Sequence, residues 1–398
     1  MHLRLLHVSA IALLAACGTG PSPTAASANN AAVEQSAPAE ATRGSHEFTV
    51  SEVATFSTPW AMEFLPASGG RNANMALVTE REGNLWLVDV TSGQRQQVSG
   101  VPSVRVAGQG GLGDVVVHPE FAGNRRIYLS YAEAGPNETA GAALGYGTLV
   151  IGQGQPRIEG FRVIWRQMPK VTGNGHFAHR MVFAPDGHLF VTSGDREKMQ
   201  PAQDMASDLG KIMRMTAEGE PVPGGPYADR GGRAAYYWSI GHRNPLGIAF
   251  APDGRLWSSE MGPRHGDELN LILPGRNYGW PEASYGSHYR GGAIPDEHAP
   301  RGFEEPKLWW TPAISPGGLL IYTGDLFPRW RGNAFVPGLS GQNLVRVELD
   351  GERAREAERW GMNARIRAVE QGPRGEIYLL EDGRSPGKGR LLRLEPRR

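Results

Sequence analysis

The sequence predicts an all-β protein, a six-bladed β-propeller with four-stranded antiparallel blades, on three observations. A degenerate hairpin unit returns six times along the chain. Glycine and proline number 54 and 30 in 398 residues, against usual shares of about 7% and 5%. They punctuate short apolar runs, the pattern of a turn-rich β protein, and they follow no Gly-X-Y period, which excludes collagen. No amphipathic helix longer than a few turns is visible.

The chain opens with an export signal, over residues 1–16. His2 and Arg4 give a weakly charged start, and Leu5 to Ala16 is an apolar run too short to span a membrane. Leu14-Ala15-Ala16-Cys17 resembles a bacterial lipobox. It predicts cleavage before Cys17 and lipidation of that cysteine, because several acyl chains on one residue anchor stably where one does not. Gly18, with no aspartate after the cysteine, favours the periplasmic side of the outer membrane by the same resemblance. Cys17 is the sole cysteine, so no internal disulfide can form. Residues 17–45 continue as Ala, Ser, Pro, Asn and Thr with almost no large apolar side chain. Such a stretch cannot bury enough surface to order itself and reads as a flexible tether.

The propeller domain follows, over residues 46–398. Glu47-Phe48-Thr49-Val50 is expected to join the final blade and close the ring. Each unit then runs from an apolar strand into a Pro or acidic-Gly turn and on to a second strand. The six are Met62 to Pro66 leading to Gly83-Trp86, Val115 to Pro119 leading to Arg126-Leu129, Met181 to Gly187 leading to Leu189-Val191, Ile248 to Gly254 leading to Leu256-Trp257, Leu319 to Tyr322, and Ala368 to Glu370 leading to Gly375-Leu379. Asp186-Gly187 and Asp253-Gly254 are strong hairpin turns. A lone hairpin cannot bury both faces, and radial packing of blades does so while leaving few free edges.

Formal net charge is zero, which argues against nucleic acid as a partner, since that needs a basic footprint. The cations are mostly arginine, suited to bidentate recognition of carboxylates. Glycines around His176 and His179, in Thr172 to Arg180, permit close backbone approach, and a histidine is a natural general base near neutral pH. Asp195 ends the next strand and could orient an imidazole. Gly241 to Pro281 packs His242, Arg243 and Asn244, a Gly262-Pro263 turn, Asp267-Glu268, Tyr278 and Trp280 into one run. Cations, backbone oxygens and carboxylates this close suit an anionic organic ligand together with a hard cation such as calcium, which takes six to eight oxygen ligands. The His176/His179 spacing fits no zinc helix. Arg365 and Arg367, two apart in a strand, project to one face. Gln109 to Gly113 is glycine-rich but lacks the lysine of a phosphate loop.

Together these segments resemble the soluble aldose dehydrogenases that depend on pyrroloquinoline quinone (PQQ), the glucose/sorbosone dehydrogenase family. GQGGLGDVVVHPEF, GHFAHRMVF, GHRNPLGIAF, EMGPRHGDELNLI and GRNYGWP carry the resemblance, which spans the folded part from Pro59-Trp60 to Leu391-Leu392. It implies a six-bladed propeller holding PQQ and Ca²⁺, oxidising aldose sugars to lactones and passing electrons to an external acceptor, a quinone, cytochrome or dye. By the resemblance, His176 is the catalytic base, Asp195 orients it, and Arg243 lies near the reacting quinone oxygen. Gln109, Asn244, Tyr289, Arg365 and Arg367 match cofactor contacts. Gly262 and Pro263 match backbone ligands of the cofactor's calcium, and Glu268 and Tyr278 a second, structural calcium site. Ser340 stands where some members place a lysine against the cofactor, and His179 where members often carry glycine or serine. Two other classes stay open on the residues alone: a calcium-dependent propeller hydrolase of lactonase type, and a non-catalytic binding propeller on the cell surface.

Overall fold

In the computed structural model, residues 47–67, 72–383 and 388–397 are described. The export signal, Cys17 and the tether lie outside them. The described chain forms six antiparallel sheets of the predicted kind. Blade 1 comprises Pro59–Phe64, Met75–Glu80, Asn84–Asp89 and Arg95–Val98, and blade 2 Leu112–Val117, Arg126–Ala134 and Thr139–Val150 with an outer edge in two pieces, Arg157–Arg166 and Val171–Thr172. Blade 3 is Ala178–Phe183, Leu189–Ser193, Lys211–Met215 and Tyr237–Ile240; blade 4 is Pro245–Phe250, Leu256–Glu260, Asp267–Ile272 and Leu308–Trp310. Blade 5 is Leu320–Ile321, Ala334–Gly338, Asn343–Asp350 and Arg353–Gly361. Blade 6 takes Ile366–Gln371, Ile377–Glu381 and Gly389–Pro396 from the end of the chain and Phe48–Phe56 from the start.

The expected closure is therefore present and longer than the four residues read for it. Phe48 pairs with Pro396 and Phe56 with Gly389, with a bulge between Glu52 and Ala54. The first repeat needs one correction. Gly83-Trp86 leads into the third strand of blade 1, because Met75–Glu80 intervenes. In blades 2, 3, 4 and 6 the two runs read from sequence are neighbouring strands.

The innermost strands touch in a closed circuit, blade 1 to 2 and onward to 6 and back to 1. Six apolar clusters fill the six gaps between successive blades. Leu77 and Leu85 of blade 1 meet Leu112 and Ile127 of blade 2, for example. Tyr378 and Ala368 of blade 6 meet Met62 and Ala76 of blade 1. Each blade thus buries one face against each neighbour.

Arg180 spans the middle of this ring. Its Nη1 donates to Asp114 of blade 2 at 2.9 Å, its Nε to the Leu246 carbonyl of blade 4 at 2.8 Å, and its Nη2 to the Gly317 carbonyl that leads into blade 5 at 2.8 Å. The guanidinium carbon lies 4.0 Å from the Trp60 ring centroid of blade 1. Asp114 also accepts the Met181 N–H at 2.8 Å. Burial raises the Asp114 pKa, and the Arg180 charge offsets that only in part. Removing one partner of a buried pair leaves the other charge unpaired, at about 3–5 kcal/mol. Arg180→Ala should lower unfolding stability by that order, seen as a drop in the urea midpoint at unchanged slope.

Candidate active site

Two adjoining groups of side chains form the site. The first is centred on His176. Its Nδ1 is 2.7 Å from Asp195 Oδ1, and Trp280 Nε1 donates to Asp195 Oδ2 at 2.8 Å. Asp195 is fully buried. Burial works against its ionisation, but the bond from His176, the charges of His176 and Arg243 and the Glu197 N–H outweigh it and hold its pKa below the usual carboxylate value. With Nδ1 committed to Asp195, Nε2 is the nitrogen left for a substrate.

The local backbone explains how His176 is held. Residues 176, 178 and 179 have φ of 47°, 55° and 59°, a left-handed region costly for non-glycine residues. The strand register skips between Ala178 and Met181, so the segment bulges out of blade 3. Gly194 lies under this bulge, where a Cβ would fall 2.1 Å from the His176 carbonyl. Only glycine fits there.

Arg243 and Asn244 join this group. The Asp195 N–H donates to the Arg243 carbonyl at 2.8 Å. Arg243 Nη1 donates to the Met261 carbonyl at 3.0 Å, and its guanidinium lies 5.3 Å from the Trp280 ring and 5.8 Å from that of Tyr289. Arg243 Nε and Asn244 Oδ1 are buried without a hydrogen-bond partner among the described residues. Tyr289 itself is exposed.

The second group lines a cavity of about 620 Å³ that includes Trp60, Gln109, Phe177, His179, Arg365 and Arg367. Gln109 links the two groups, since its Oε1 accepts the His176 N–H at 2.9 Å. Arg365 and Arg367 share one carboxylate, Asp382, at 3.1 and 3.3 Å. Two cations against one anion leave net positive charge, and Arg367 Nε is another buried donor without a partner. Ser340, expected as a cofactor contact, is exposed and does not itself line the cavity; its Oγ is 2.7 Å from that of Ser315, a lining residue.

The turn at Gly262-Pro263 is shaped by Asp267. That carboxylate accepts the N–H groups of Gly262, Ile314 and Ser315 at 2.9, 2.8 and 2.6 Å. Burial nevertheless raises its pKa to about 6. No hydrogen bond among the described residues ends on the Gly262 or Pro263 carbonyl. Glu268 faces Glu260 directly across the blade 4 ladder. Burial, reinforced by Glu260, pushes the Glu268 pKa to about 8. The Tyr278 ring stacks on His242 at 4.6 Å, and His242 in turn contacts Glu260 at 3.0 Å. The Tyr278 hydroxyl is spent on Leu271 and Leu273, so only its backbone carbonyl could serve a cation. Among the described residues no three His, Cys, Asp or Glu side chains converge to hold a metal.

Comparison with known proteins identifies the family. Residues 56–393 match the family model described as Glucose / Sorbosone dehydrogenase. The chain belongs to that family. Aldose sugar dehydrogenase YliI of Escherichia coli is 39% identical over 344 residues, covering 85% of this chain and 90% of that protein. The apo-form crystal structure of soluble aldose sugar dehydrogenase from E. coli superposes with a TM-score of 0.82 at 37% identity, over 88% of this chain and all of that one. The PQQ-bound aldose sugar dehydrogenase of Streptomyces coelicolor gives 0.69 at 29% identity, over 87% and 98%.

Several site residues escaped the sequence reading. Asp382 and Asp114 carry no mark of their own in the sequence, and Trp60 and Trp280 stand out only as members of longer segments. A tryptophan in a Gly-Trp-Pro turn (Gly279, Trp280, Pro281) was the one available signal.

His179 generates a pH prediction. It is buried, its ring stacked on Trp60 at 5.1 Å, and burial with the nearby Arg180 charge lowers its pKa to about 3. The unfolded value is about 6.5. A depressed folded pKa means this contribution is fully present above about pH 6.5 and is lost as pH falls toward 3, by at most about 1.4 kcal/mol per pH unit. In chemical denaturation, His179→Gln should lose less stability than the parent between pH 7 and pH 5. Equal losses would refute the assignment.

Proposed function

We propose that this protein oxidises the anomeric carbon of aldose sugars to lactones, using PQQ and Ca²⁺, and passes the electrons to a separate acceptor. The observation that carries the reading is the linked pair of groups: a buried His176–Asp195 dyad joined through Gln109 to a cavity with paired arginines, in a chain of this family.

The residues fit such a ligand. Arg365 and Arg367, with net positive charge beside Asp382, suit the carboxylates of PQQ. Arg243 Nε, Arg367 Nε and Asn244 Oδ1 are orphaned polar atoms that a polar ligand would satisfy. The Gly262 and Pro263 carbonyls would serve calcium, with Glu268 and the Tyr278 carbonyl at a second calcium site. Tyr289 would cover the cofactor beside Arg243. Ser340 supplies a hydroxyl where a lysine would add charge, so cofactor affinity rests on the arginines. When bound, PQQ supplies a two-electron hydride acceptor and calcium a Lewis acid.

The chain's own residues do the rest. His176 Nε2 takes the proton of the sugar's anomeric hydroxyl as the hydride leaves the same carbon. Asp195 keeps Nδ1 protonated and stabilises the imidazolium that results. Trp280 fixes Asp195. Arg243 brings a positive charge, held in place by the Met261 carbonyl, to the oxygen where negative charge develops. Cys17, as a lipidated first residue, would keep the domain on the periplasmic face of the outer membrane; among the described residues no helix is long and apolar enough to cross a membrane.

The test is direct. The apo protein without its leader, given PQQ and Ca²⁺, should reduce an artificial dye with an aldose and need both additions. Lactone hydrolysis without PQQ would favour a hydrolase, and inactivity in both assays a binding protein. His176→Ala should lower kcat by about 10²–10⁴-fold or more. Trp280→Phe should lower kcat roughly tenfold with little change in KM, because one bond to a buried carboxylate is worth about 1.5 kcal/mol and the substrate is not touched. A change confined to KM would sink the role given to Trp280.

A further inference from the structure

Ser130 and His179 share a closed set of hydrogen bonds that determines which imidazole nitrogen carries the proton. Ser130 Oγ lies 2.8 Å from His179 Nδ1 and 2.8 Å from the His179 carbonyl oxygen. It also accepts the Asp114 N–H at 3.0 Å. Both of the short contacts need a proton between the two heavy atoms. A hydroxyl has one proton to give, and a carbonyl has none. The Ser130 proton must therefore point at the carbonyl, and Nδ1 must bring its own. Ser130 Oγ then donates once and accepts twice, from Asp114 and from Nδ1, and every group is satisfied. Nε2 is left as a bare acceptor, and among the described residues no donor reaches it.

The ring is also placed at some cost. His179 sits at φ 59°, where glycine would be unstrained. Opposite it, a Cβ on Gly113 would fall 1.8 Å from His179 Cε1, so position 113 is emptied to make room. The imidazole lies parallel to the Trp60 indole, 13° apart, and both line the cavity that holds Arg365 and Arg367. The named cations of that wall, Arg365 and Arg367, are donors. An acceptor-only nitrogen among them suits a ligand that is anionic yet carries an N–H. PQQ has both, three carboxylates and a pyrrole N–H.

We propose that His179 is a further cofactor-binding residue, held by Ser130 as the neutral Nδ1–H tautomer so that Nε2 accepts the pyrrole N–H of PQQ. This rests on the quinone reading above. Ser130 acts through His179 as a positioning residue.

The experiment is equilibrium titration of the apo protein with PQQ in the presence of Ca²⁺, followed by tryptophan fluorescence, without any sugar. His179→Phe keeps an aromatic ring and removes the acceptor; it should weaken binding about tenfold or more. His179→Gln restores an acceptor and should stay within about threefold of the parent. Ser130→Ala, which releases the tautomer without removing the ring, should weaken binding severalfold. Nitrogen-15 NMR of the imidazoles should show His179 Nε2 unprotonated in the apo protein and shifted by PQQ, and this decides the matter if His179→Phe fails to fold. Parent-like affinity in His179→Phe, a loss in His179→Gln as large as in His179→Phe, parent-like affinity in Ser130→Ala, or a protonated Nε2 would overturn the inference while the quinone reading stands. A parent protein that binds no PQQ would overturn both.

Discussion

The buried guanidinium of Arg180 is the constraint around which the rest is arranged. It ties a carboxylate of blade 2, carbonyls of blade 4 and of the approach to blade 5, and an aromatic ring of blade 1 to a residue of blade 3. Blade 6 comes close by another route, since a Cβ on Gly317 would fall 2.5 Å from the Arg367 carbonyl. Much of the remaining contact between blades is apolar, which is non-directional. One planar cation with five donors in a fixed fork supplies direction at the centre. The neighbours of Arg180 in sequence are the residues of the site. Fixing that side chain therefore also fixes where the bulge carrying His176 and His179 begins.

The bulge shows how the site is paid for in backbone conformation. Three non-glycine residues within four positions adopt left-handed φ. Such strain persists where the surroundings over-determine it. Here Asp195, Gln109 and Ser130 each hold one part of the segment, through His176 Nδ1, the His176 N–H and His179 respectively. The dyad and the cavity wall come from adjacent residues because the chain turns sharply between them.

Much of the fold was legible because its signals are local. Apolar runs such as Met181 to Phe183 and Ile248 to Phe250, each closed by Pro-Asp-Gly, state a strand and its turn within ten residues. The missed strand Met75–Glu80 lies beyond a long connection with no such turn. Within the site, His176, Asp195, Arg243 and the two arginines of blade 6 were visible from residue type and spacing, helped by family resemblance. Their partners were not. Trp280 bonds Asp195 across 85 positions and Arg180 meets Asp114 across 66. Pairings at that range are decided by which blades adjoin, and nothing in the local pattern of Asp114 or Asp382 distinguishes them from ordinary turn or strand acids. The reading of Asp267 as half of an acidic pair also missed its work. It organises a turn by accepting three N–H groups, while Glu268 faces Glu260 across the ladder of blade 4.

Blade 6 is built from both ends of the folded chain, so its outermost ladder joins residues nearly 350 positions apart. No other blade depends on a contact so remote. Loop closure over that distance is slow relative to hairpin formation, so ring closure is expected to follow the hairpins of the single blades. Until then blade 1 presents an uncovered flank toward the missing neighbour.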